Sequence, residues 1–173
     1  NALDFDDILM KALALLQIPQ VLNYYQDKYK YLMVDEYQDT NKAQYNIVKL
    51  LSQKYQNLAV VWDDSQSIYS WRWADMTNII NFKRDYPDAT VIKLEQNYRS
   101  TDMILWWANA VIAKNNSGIK KELWSDKKSD DLIQYIEAPD DKTEARTIAK
   151  IIRDAGDNHY SNHLILYRTN AQS

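Results

Sequence analysis

The ten residues Tyr31-Leu-Met-Val-Asp-Glu-Tyr-Gln-Asp-Thr40 constrain this chain more than any other segment. Tyr31 to Val34 have the apolar pattern of a short buried strand of a parallel sheet, and ligands bind just beyond the carboxyl ends of such strands. Asp35 and Glu36 lie at that end. Because neighbouring strand residues point to different sides, one carboxylate can hold Mg²⁺ while the other orients and deprotonates an attacking water. The segment therefore predicts nucleotide chemistry, and the alternative is a strand whose acidic end caps the next helix.

Helical and strand-like patterns alternate along the rest of the chain, with no repeat and no low-complexity segment. Apolar residues at helical spacing indicate helices near residues 5–16, 43–55, 76–82, 101–114 and 141–152. Pro19 follows the end of the first helix, Thr40 or Asn41 should cap the second, and Asp141-x-x-Glu144 should form a capping box at the last. Strand-like runs occur at Tyr31–Val34, Leu58–Val61, Thr90–Leu94, Leu132–Glu137 and His163–Tyr167. This alternation predicts an α/β fold, a mainly parallel sheet with helices on both faces.

Composition excludes several classes of site. With 173 residues, of which 46% are hydrophobic and 26% charged, the chain can bury one sizeable core or two small ones. It has no cysteine, which excludes disulfides and thiolate metal sites, and its two histidines leave little for a zinc site. We find no signal peptide and no apolar run long enough for a bilayer, so we expect a cytoplasmic protein with no membrane partner.

The charge balance restricts contact with nucleic acid. A net charge of −3 argues against a broad phosphate-binding surface, so any such contact must be local and partly by stacking. Thirteen tyrosines and six tryptophans make stacking possible. The structural alternative for most of them is core packing or half-buried surface.

Two further motifs follow the acidic one in order. They are Val60-Val-Trp-Asp-Asp-Ser-Gln-Ser-Ile-Tyr-Ser-Trp-Arg-Trp-Ala-Asp75 and Leu94-Glu-Gln-Asn-Tyr-Arg-Ser100. With the acidic motif they resemble the motifs of the UvrD/PcrA/Rep group of superfamily-one DNA helicases. Residues 1–7 and 166–173 are similar to the same group at the two chain ends. The resemblance therefore spans essentially the whole chain, and three long motifs in the same order are highly specific.

The resemblance implies a RecA-like (P-loop NTPase-like) helicase fragment in two parts. Residues 1–88 resemble the C-terminal part of the first RecA-like domain and residues 89–173 the N-terminal part of the second. The two parts could also merge into one compact α/β domain. Parent proteins of this kind couple ATP hydrolysis to three-prime to five-prime translocation on single-stranded DNA and to duplex unwinding. ATP and Mg²⁺ are therefore the implied cofactors, and single-stranded DNA is the implied partner.

The same resemblance implies roles for individual residues. Asp35 resembles the magnesium carboxylate, Glu36 the general base, and Gln66 the residue that senses the γ-phosphate and couples it to DNA. Arg99 resembles an arginine that stabilises charge on the transferring phosphoryl group, and Tyr98 an aromatic residue that stacks near adenine. Positions that resemble contacts to single-stranded DNA are Tyr69, Trp71, Arg72, Arg168 and Asn170. The structural alternative for Asp39 and Arg99 is that they are ion-pair partners without a functional role. The structural alternative for Trp71 is ordinary core packing.

Part of an ATPase is missing from the 173 residues. They contain no Gly-x-x-x-x-Gly-Lys-Ser/Thr run, so the backbone cradle and the lysine that hold the β- and γ-phosphates are absent. The later helicase motifs, including a second arginine at the γ-phosphate, are absent too. We therefore expect the chain alone to be inactive and to bind no nucleotide.

Tryptophan replaces glycine at two motif positions. The resemblance implies glycine where this chain has Trp62 and Trp73, and glycine there permits a tight turn and a close approach of ligand or backbone. Trp106 and Trp107 add apolar surface to a helix that already has an apolar stripe, so at least one should pack against a second surface. These four residues raise an alternative. The chain could be an engineered α/β protein, designed on a helicase scaffold for folding or binding without catalysis, with a second copy or a designed partner at the tryptophans.

Overall fold

Six α-helices and a small parallel sheet make up the part of the chain that the computed structural model describes, residues 2–70, 73–75, 77–115, 120–156 and 159–169. The helices are α1 (Phe5–Leu16), α2 (Pro19–Lys28), α3 (Lys42–Ser52), α4 (Thr77–Asp85), α5 (Asp102–Ile112) and α6 (Asp141–Asp154). Short 3₁₀ turns lie at Tyr37–Asp39, Asp64–Gln66 and Tyr160–Asn162. Contacts divide the chain into two units, residues 1–128 and 129–173. No described helix has the length and apolar character needed to cross a membrane.

The sheet consists of two parallel strands, β1 (Leu32–Val34) and β2 (Leu58–Val60). Leu32 lies opposite Leu58, and Val34 lies opposite Val60. α3 connects the two strands, because a parallel pair needs a crossover and cannot be closed by a tight turn. The strands predicted at Tyr31–Val34 and Leu58–Val61 are confirmed, each one residue shorter than expected. The chain leaves both strands at the same edge of the sheet, where the acidic turns begin.

Capping side chains set where the helices begin. The Asp4 carboxylate accepts a hydrogen bond from the Asp7 amide at 2.8 Å and opens α1. The Asn41 side chain accepts one from the Gln44 amide at 3.0 Å and opens α3. Of the two predicted caps for that helix, Asn41 is therefore the one that the structure uses.

One expectation about the start of a helix is wrong. The cap of α6 is Asp140, whose carboxylate accepts from the Thr143 amide at 2.7 Å, and not a box formed by Asp141 and Glu144. Asp140 has the extended backbone that a cap requires (φ −155°, ψ 165°), whereas Asp141 is already helical. The prediction that Pro19 follows the end of α1 is confirmed. Pro19 also occupies the first turn of α2, where its fixed φ suits a helix and no amide hydrogen is needed.

The core of the first unit is built around the sheet and α4. Its buried members are Tyr37, Tyr45, Ile79 and Phe82, and the partly buried residues that pack against them are Val34, Leu58, Val60, Trp62 and Tyr86. The Tyr37 and Phe82 rings meet edge to face, with 5.8 Å between centroids, an arrangement that aromatic pairs favour. Burial, followed by the nearby Tyr86 and Asp85, raises the pKa of Tyr37 to about 12. This core anchors the first residues of the turn that leaves β1.

Three predicted strands are wrong. Residues 90–94, 132–137 and 163–167 form no strand, and the further pairing found in the described ranges is an isolated parallel bridge between Gln96 and Trp124. A strand needs a neighbour that satisfies its backbone groups and packs on its side chains. Ile92, Tyr135 and Leu166 are instead 77%, 89% and 84% exposed. The α/β class is confirmed, but the described residues do not form a mainly parallel sheet covered by helices on both faces.

Candidate functional site

Asp35 and Glu36 occupy the turn at the carboxyl end of β1, and both are exposed. The Glu36 amide donates to Asp35 Oδ1 at 2.9 Å. Glu36 has a left-handed backbone (φ 49°, ψ 43°), from which the chain enters the 3₁₀ turn at Tyr37–Asp39. Such a conformation costs a non-glycine residue on the order of 1–3 kcal/mol and is found disproportionately at functional sites. The strained turn directs two carboxylates away from the sheet edge and into solvent.

Gln38 joins this turn to the end of β2. Its side chain is 1% exposed, its Nε2 donates to Glu36 Oε2 at 2.6 Å, and its Oε1 accepts from the Asp63 amide at 3.0 Å. A buried carboxamide bonded at both ends is fixed in orientation. The Glu36 carboxylate is consequently held relative to the backbone of the neighbouring strand end. Sequence reasoning missed Gln38, and its position two residues after a candidate base is the signal that could have found it.

Asp63 organises the turn after β2. Its Oδ1 accepts from the Ser65 amide at 2.9 Å, and its Oδ2 accepts from Gln66 Nε2 at 2.8 Å. Gln66 itself is exposed. The structure thus connects the predicted residues Glu36 and Gln66 in one hydrogen-bonded chain that runs through Gln38 and Asp63.

Lys121 forms ion pairs with the turn after β2. Its Nζ donates to the carboxylates of Asp63 and Asp64, at 2.9 Å to Asp64. Burial raises the pKa of Asp63, but hydrogen bonds from Lys121, Gln66 and the Ser65 amide outweigh burial and leave that pKa below its usual value. Burial lowers the pKa of Lys121, and its bonds to the two carboxylates outweigh burial and leave it raised. Sequence reasoning missed Lys121, because a single lysine 55 positions after Gln66 gives no local signal.

Asp39 lies in the same turn as Glu36 but faces inward. Burial, followed by the charge of Glu36, raises the pKa of Asp39, and its Oδ1 is buried without a hydrogen-bond partner. The ion pair considered between Asp39 and Arg99 is not formed among the described residues. The inward position of Asp39 separates it from the two exposed carboxylates.

Arg99 and Tyr98 lie in a separate turn. The Asn97 side chain accepts hydrogen bonds from the amides of Arg99 (2.9 Å) and Ser100 (2.7 Å), which fixes the turn internally. Both Arg99 and Tyr98 are exposed, Tyr98 at 74%. In the described part of the chain, no hydrogen bond or ion pair joins the Arg99 side chain to the turns after β1 and β2. Whether Arg99 acts with them stays a prediction.

The exposed carboxylates fit a magnesium ion held with its water and a nucleotide. The described residues contain no cluster of three or more His, Cys, Asp or Glu side chains that could hold a metal. Mg²⁺ does not need one, because it commonly takes one or two protein carboxylates and completes its shell with water and phosphate oxygens. Asp35 and Glu36 offer two exposed carboxylates on adjacent residues. The donor set therefore suits such an ion and does not suit a cage made of protein ligands alone.

The predicted DNA contacts fall on both units. Tyr69 belongs to the first unit and is 39% exposed, and Arg168 belongs to the second unit and is also exposed. Trp71, Arg72 and Asn170 lie outside the described residues. The prediction for these five residues therefore rests on the sequence.

The four unusual tryptophans have different environments. Trp62 is half-buried and packs against the core, whereas Trp73 is 84% exposed and has a left-handed backbone with φ 66°. Trp106 and Trp107 are 62% and 44% exposed and contact each other edge to face, with 5.5 Å between centroids. The left-handed φ at Trp73 agrees with the implied glycine. The engineered alternative, and a second copy at these residues, stay predictions.

Comparison with known families covers both halves of the chain. Residues 1–87 match the UvrD/REP helicase N-terminal domain, and residues 92–173 match the UvrD-like helicase C-terminal domain. The chain belongs to the UvrD-like helicase family. The resemblance inferred from the three motifs is thereby confirmed. The family boundary near residue 90 differs from the division at residue 128 found in the structure. Within the first unit, Lys121 forms an ion pair with Asp63 in the turn after β2.

Individual UvrD-like relatives are similar over the whole chain. The ATP-dependent DNA helicase PcrA of Staphylococcus epidermidis is 53% identical over 100% of the chain, and that of Staphylococcus aureus is 51% identical over the same span. The chain spans 24% of the length of each of these relatives.

Proposed function

We propose that residues 1–173 form part of the ATPase core of a DNA helicase, with RecA-like parts at residues 1–88 and 89–173. The observation that supports this proposal most is the hydrogen-bonded chain from Glu36 through Gln38 and Asp63 to Gln66. It joins a candidate base and a candidate phosphate sensor at the carboxyl ends of two neighbouring parallel strands, where α/β proteins bind nucleotides. The longer protein would couple ATP hydrolysis to three-prime to five-prime movement on single-stranded DNA and to duplex unwinding.

Each residue has a proposed task in that reaction. Asp35 would hold Mg²⁺, which when bound would neutralise negative charge on the phosphates of ATP. Glu36 orients and deprotonates the attacking water, and Gln66 contacts the γ-phosphate. Arg99 stabilises charge on the transferring group, and Tyr98 stacks on the adenine. The exposure of all five side chains leaves each of them accessible to a ligand.

Hydrolysis tests the proposal directly. The 173 residues contain no phosphate-binding glycine-lysine loop, so the chain alone should show no ATPase activity above background, with or without single-stranded DNA. A turnover in the chain alone that Glu36→Gln abolishes would contradict this expectation. In the longer protein that carries these residues and a phosphate-binding loop, Glu36→Gln should abolish DNA-stimulated ATPase activity. Unchanged activity there would refute the proposed role of Glu36.

Single-stranded DNA should bind the chain weakly. The candidate contacts are Tyr69, Trp71, Arg72, Arg168 and Asn170, which provide stacking surfaces and two cations on a chain with a net charge of −3. Fluorescence anisotropy with a labelled oligonucleotide should therefore show low affinity that falls steeply as salt rises. Arg72→Ala should weaken binding, and Arg153→Ala, on α6 and outside the candidate set, serves as the charge-matched control. Sub-micromolar binding at physiological salt would show that these contacts bind single-stranded DNA more tightly than we infer.

A further inference from the structure

Lys121 forms an unusual ionic contact with the turn after β2. Its side chain is 20% exposed and binds two consecutive carboxylates, those of Asp63 and Asp64, which are 24% and 11% exposed. Two carboxylates in neighbouring positions repel each other when both are ionised and partly removed from water. One cation shared between them offsets that repulsion and holds both side chains in place.

The effect of Lys121 reaches Gln66 through a single carboxylate. The Asp63 oxygen that Lys121 binds also accepts from the Ser65 amide, and the other oxygen accepts from Gln66 Nε2. With both oxygens engaged, the carboxylate cannot rotate without breaking a bond to the turn. Loss of Lys121 would therefore free Asp63 to turn and release the Gln66 carboxamide from its present direction.

The segment that carries Lys121 also binds the turn of Arg99. The Asn97 amide donates to the Trp124 carbonyl at 2.7 Å, and the Trp124 amide donates to the Glu95 carbonyl at 3.0 Å. Further along, the Asp102 amide donates to the Lys127 carbonyl at 2.8 Å. Residues 121–127 thus contact the turn with Gln66 through a side chain and the turn with Arg99 through the backbone.

We propose that Lys121 is a positioning residue of the ATPase site, which orients Gln66 through Asp63 and ties the Gln66 turn to the segment that supports Arg99. The inference rests on the proposed function, which gives Gln66 its role at the γ-phosphate. The positioning of Gln66 itself can be measured without nucleotide. Lys121 touches no reacting group in this arrangement, because its contacts are the carboxylates of Asp63 and Asp64.

Nuclear magnetic resonance of the 173-residue chain tests the positioning. In Lys121→Met, the side-chain carboxamide signals of Gln66 should shift and broaden, and the titration midpoint of Asp63 should rise toward its ordinary value. Lys121→Arg should restore both, because a guanidinium can also bind two carboxylates. Lys120→Met, which alters an exposed neighbouring lysine, should match the parent chain. A folded Lys121→Met chain with unchanged Gln66 signals and an unchanged Asp63 midpoint would overturn the proposal.

A second variant covers the case in which Lys121→Met does not fold. Adding Asp64→Asn removes the like charge that Lys121 normally offsets, so the double variant should fold. Its Gln66 signals should still be shifted and broadened, because no cation holds Asp63. Gln66 signals identical to those of the parent in the folded double variant would overturn the proposal.

ATPase measurements on the longer helicase separate this inference from the proposed function. Lys121→Met should lower kcat by roughly 10- to 100-fold with a smaller change in KM for ATP, since misplacement of a catalytic group by about 1 Å can cost about 100-fold. Lys121→Arg should recover most of the loss. If Glu36→Gln leaves hydrolysis intact, the proposed function fails whatever the resonance data show. If Glu36→Gln abolishes hydrolysis and Lys121→Met leaves kcat unchanged, the positioning role fails alone.

Discussion

Replacing Trp73 with glycine should stabilise the chain. Trp73 has φ 66° and is 84% exposed, so its indole gains little from burial while its backbone is strained. A left-handed conformation costs an L-residue roughly 1–2 kcal/mol, which glycine avoids. The greater conformational freedom of glycine in the unfolded chain offsets roughly 0.5–1 kcal/mol of this gain in stability. The net gain should be about 0.5–1 kcal/mol, or about 1–4 °C in Tm for a chain of this size.

Urea and thermal unfolding followed by circular dichroism measure this gain. Trp73→Ala is the matched control, because it removes the indole but keeps the Cβ that makes the left-handed backbone costly. Ala14→Gly, at an exposed position inside α1, should have the opposite sign and cost about 1 kcal/mol. The reasoning is refuted if Trp73→Gly proves no more stable than Trp73→Ala.

Two further outcomes follow from the core and from the helix surface. The pKa of Tyr37 is raised by burial from 10 to about 12, so its stabilising effect is complete below pH 10 and is lost as the pH rises through about 12. Urea unfolding between pH 9 and pH 12 should show this decline, and Tyr37→Phe should make it shallower. Trp106→Ala and Trp107→Ala should each lose the edge-to-face contact, about 0.5–1.5 kcal/mol. The double variant should lose less unfolding free energy than the sum of the two single losses, and additive losses would contradict a direct contact. Sedimentation of the same variants would reveal a second copy bound at these indoles.

Local sequence patterns predicted the structure correctly where a residue type has a single physical role. Asn41 opens α3 because its side chain satisfies an amide that the helix leaves unpaired. The apolar run before Asp35 formed β1 because a second apolar run, across a crossover helix, was available to pair with it. The position of the carboxylates at the strand end followed from those two facts.

The other expectations failed where the outcome depended on distant residues. Residues 90–94 have a strand pattern as clear as that of β1, but the described part of the chain gives them no strand to pair with. Gln38 and Lys121 both act through Asp63, which lies 25 positions from Gln38 and 58 positions from Lys121. Sequence spacing alone does not reveal such pairs. The sequence patterns do not predict α2, which begins at Pro19, because proline ends helices and also starts them.

The apolar runs that form no strand also bear on how this polypeptide behaves in concentrated solution. Exposed strand-like segments offer free amides and carbonyls to any similar segment, which is how intermolecular cross-β contacts begin. Residues 91–94 carry a built-in safeguard, because Lys93 interrupts the run with a charge. Leu132-Ile-Gln-Tyr-Ile136 has no charge and no proline, and its four apolar side chains are between 47% and 89% exposed. Residues 132–136 should therefore contribute to precipitation of this polypeptide, and a lysine in place of Gln134 should delay it.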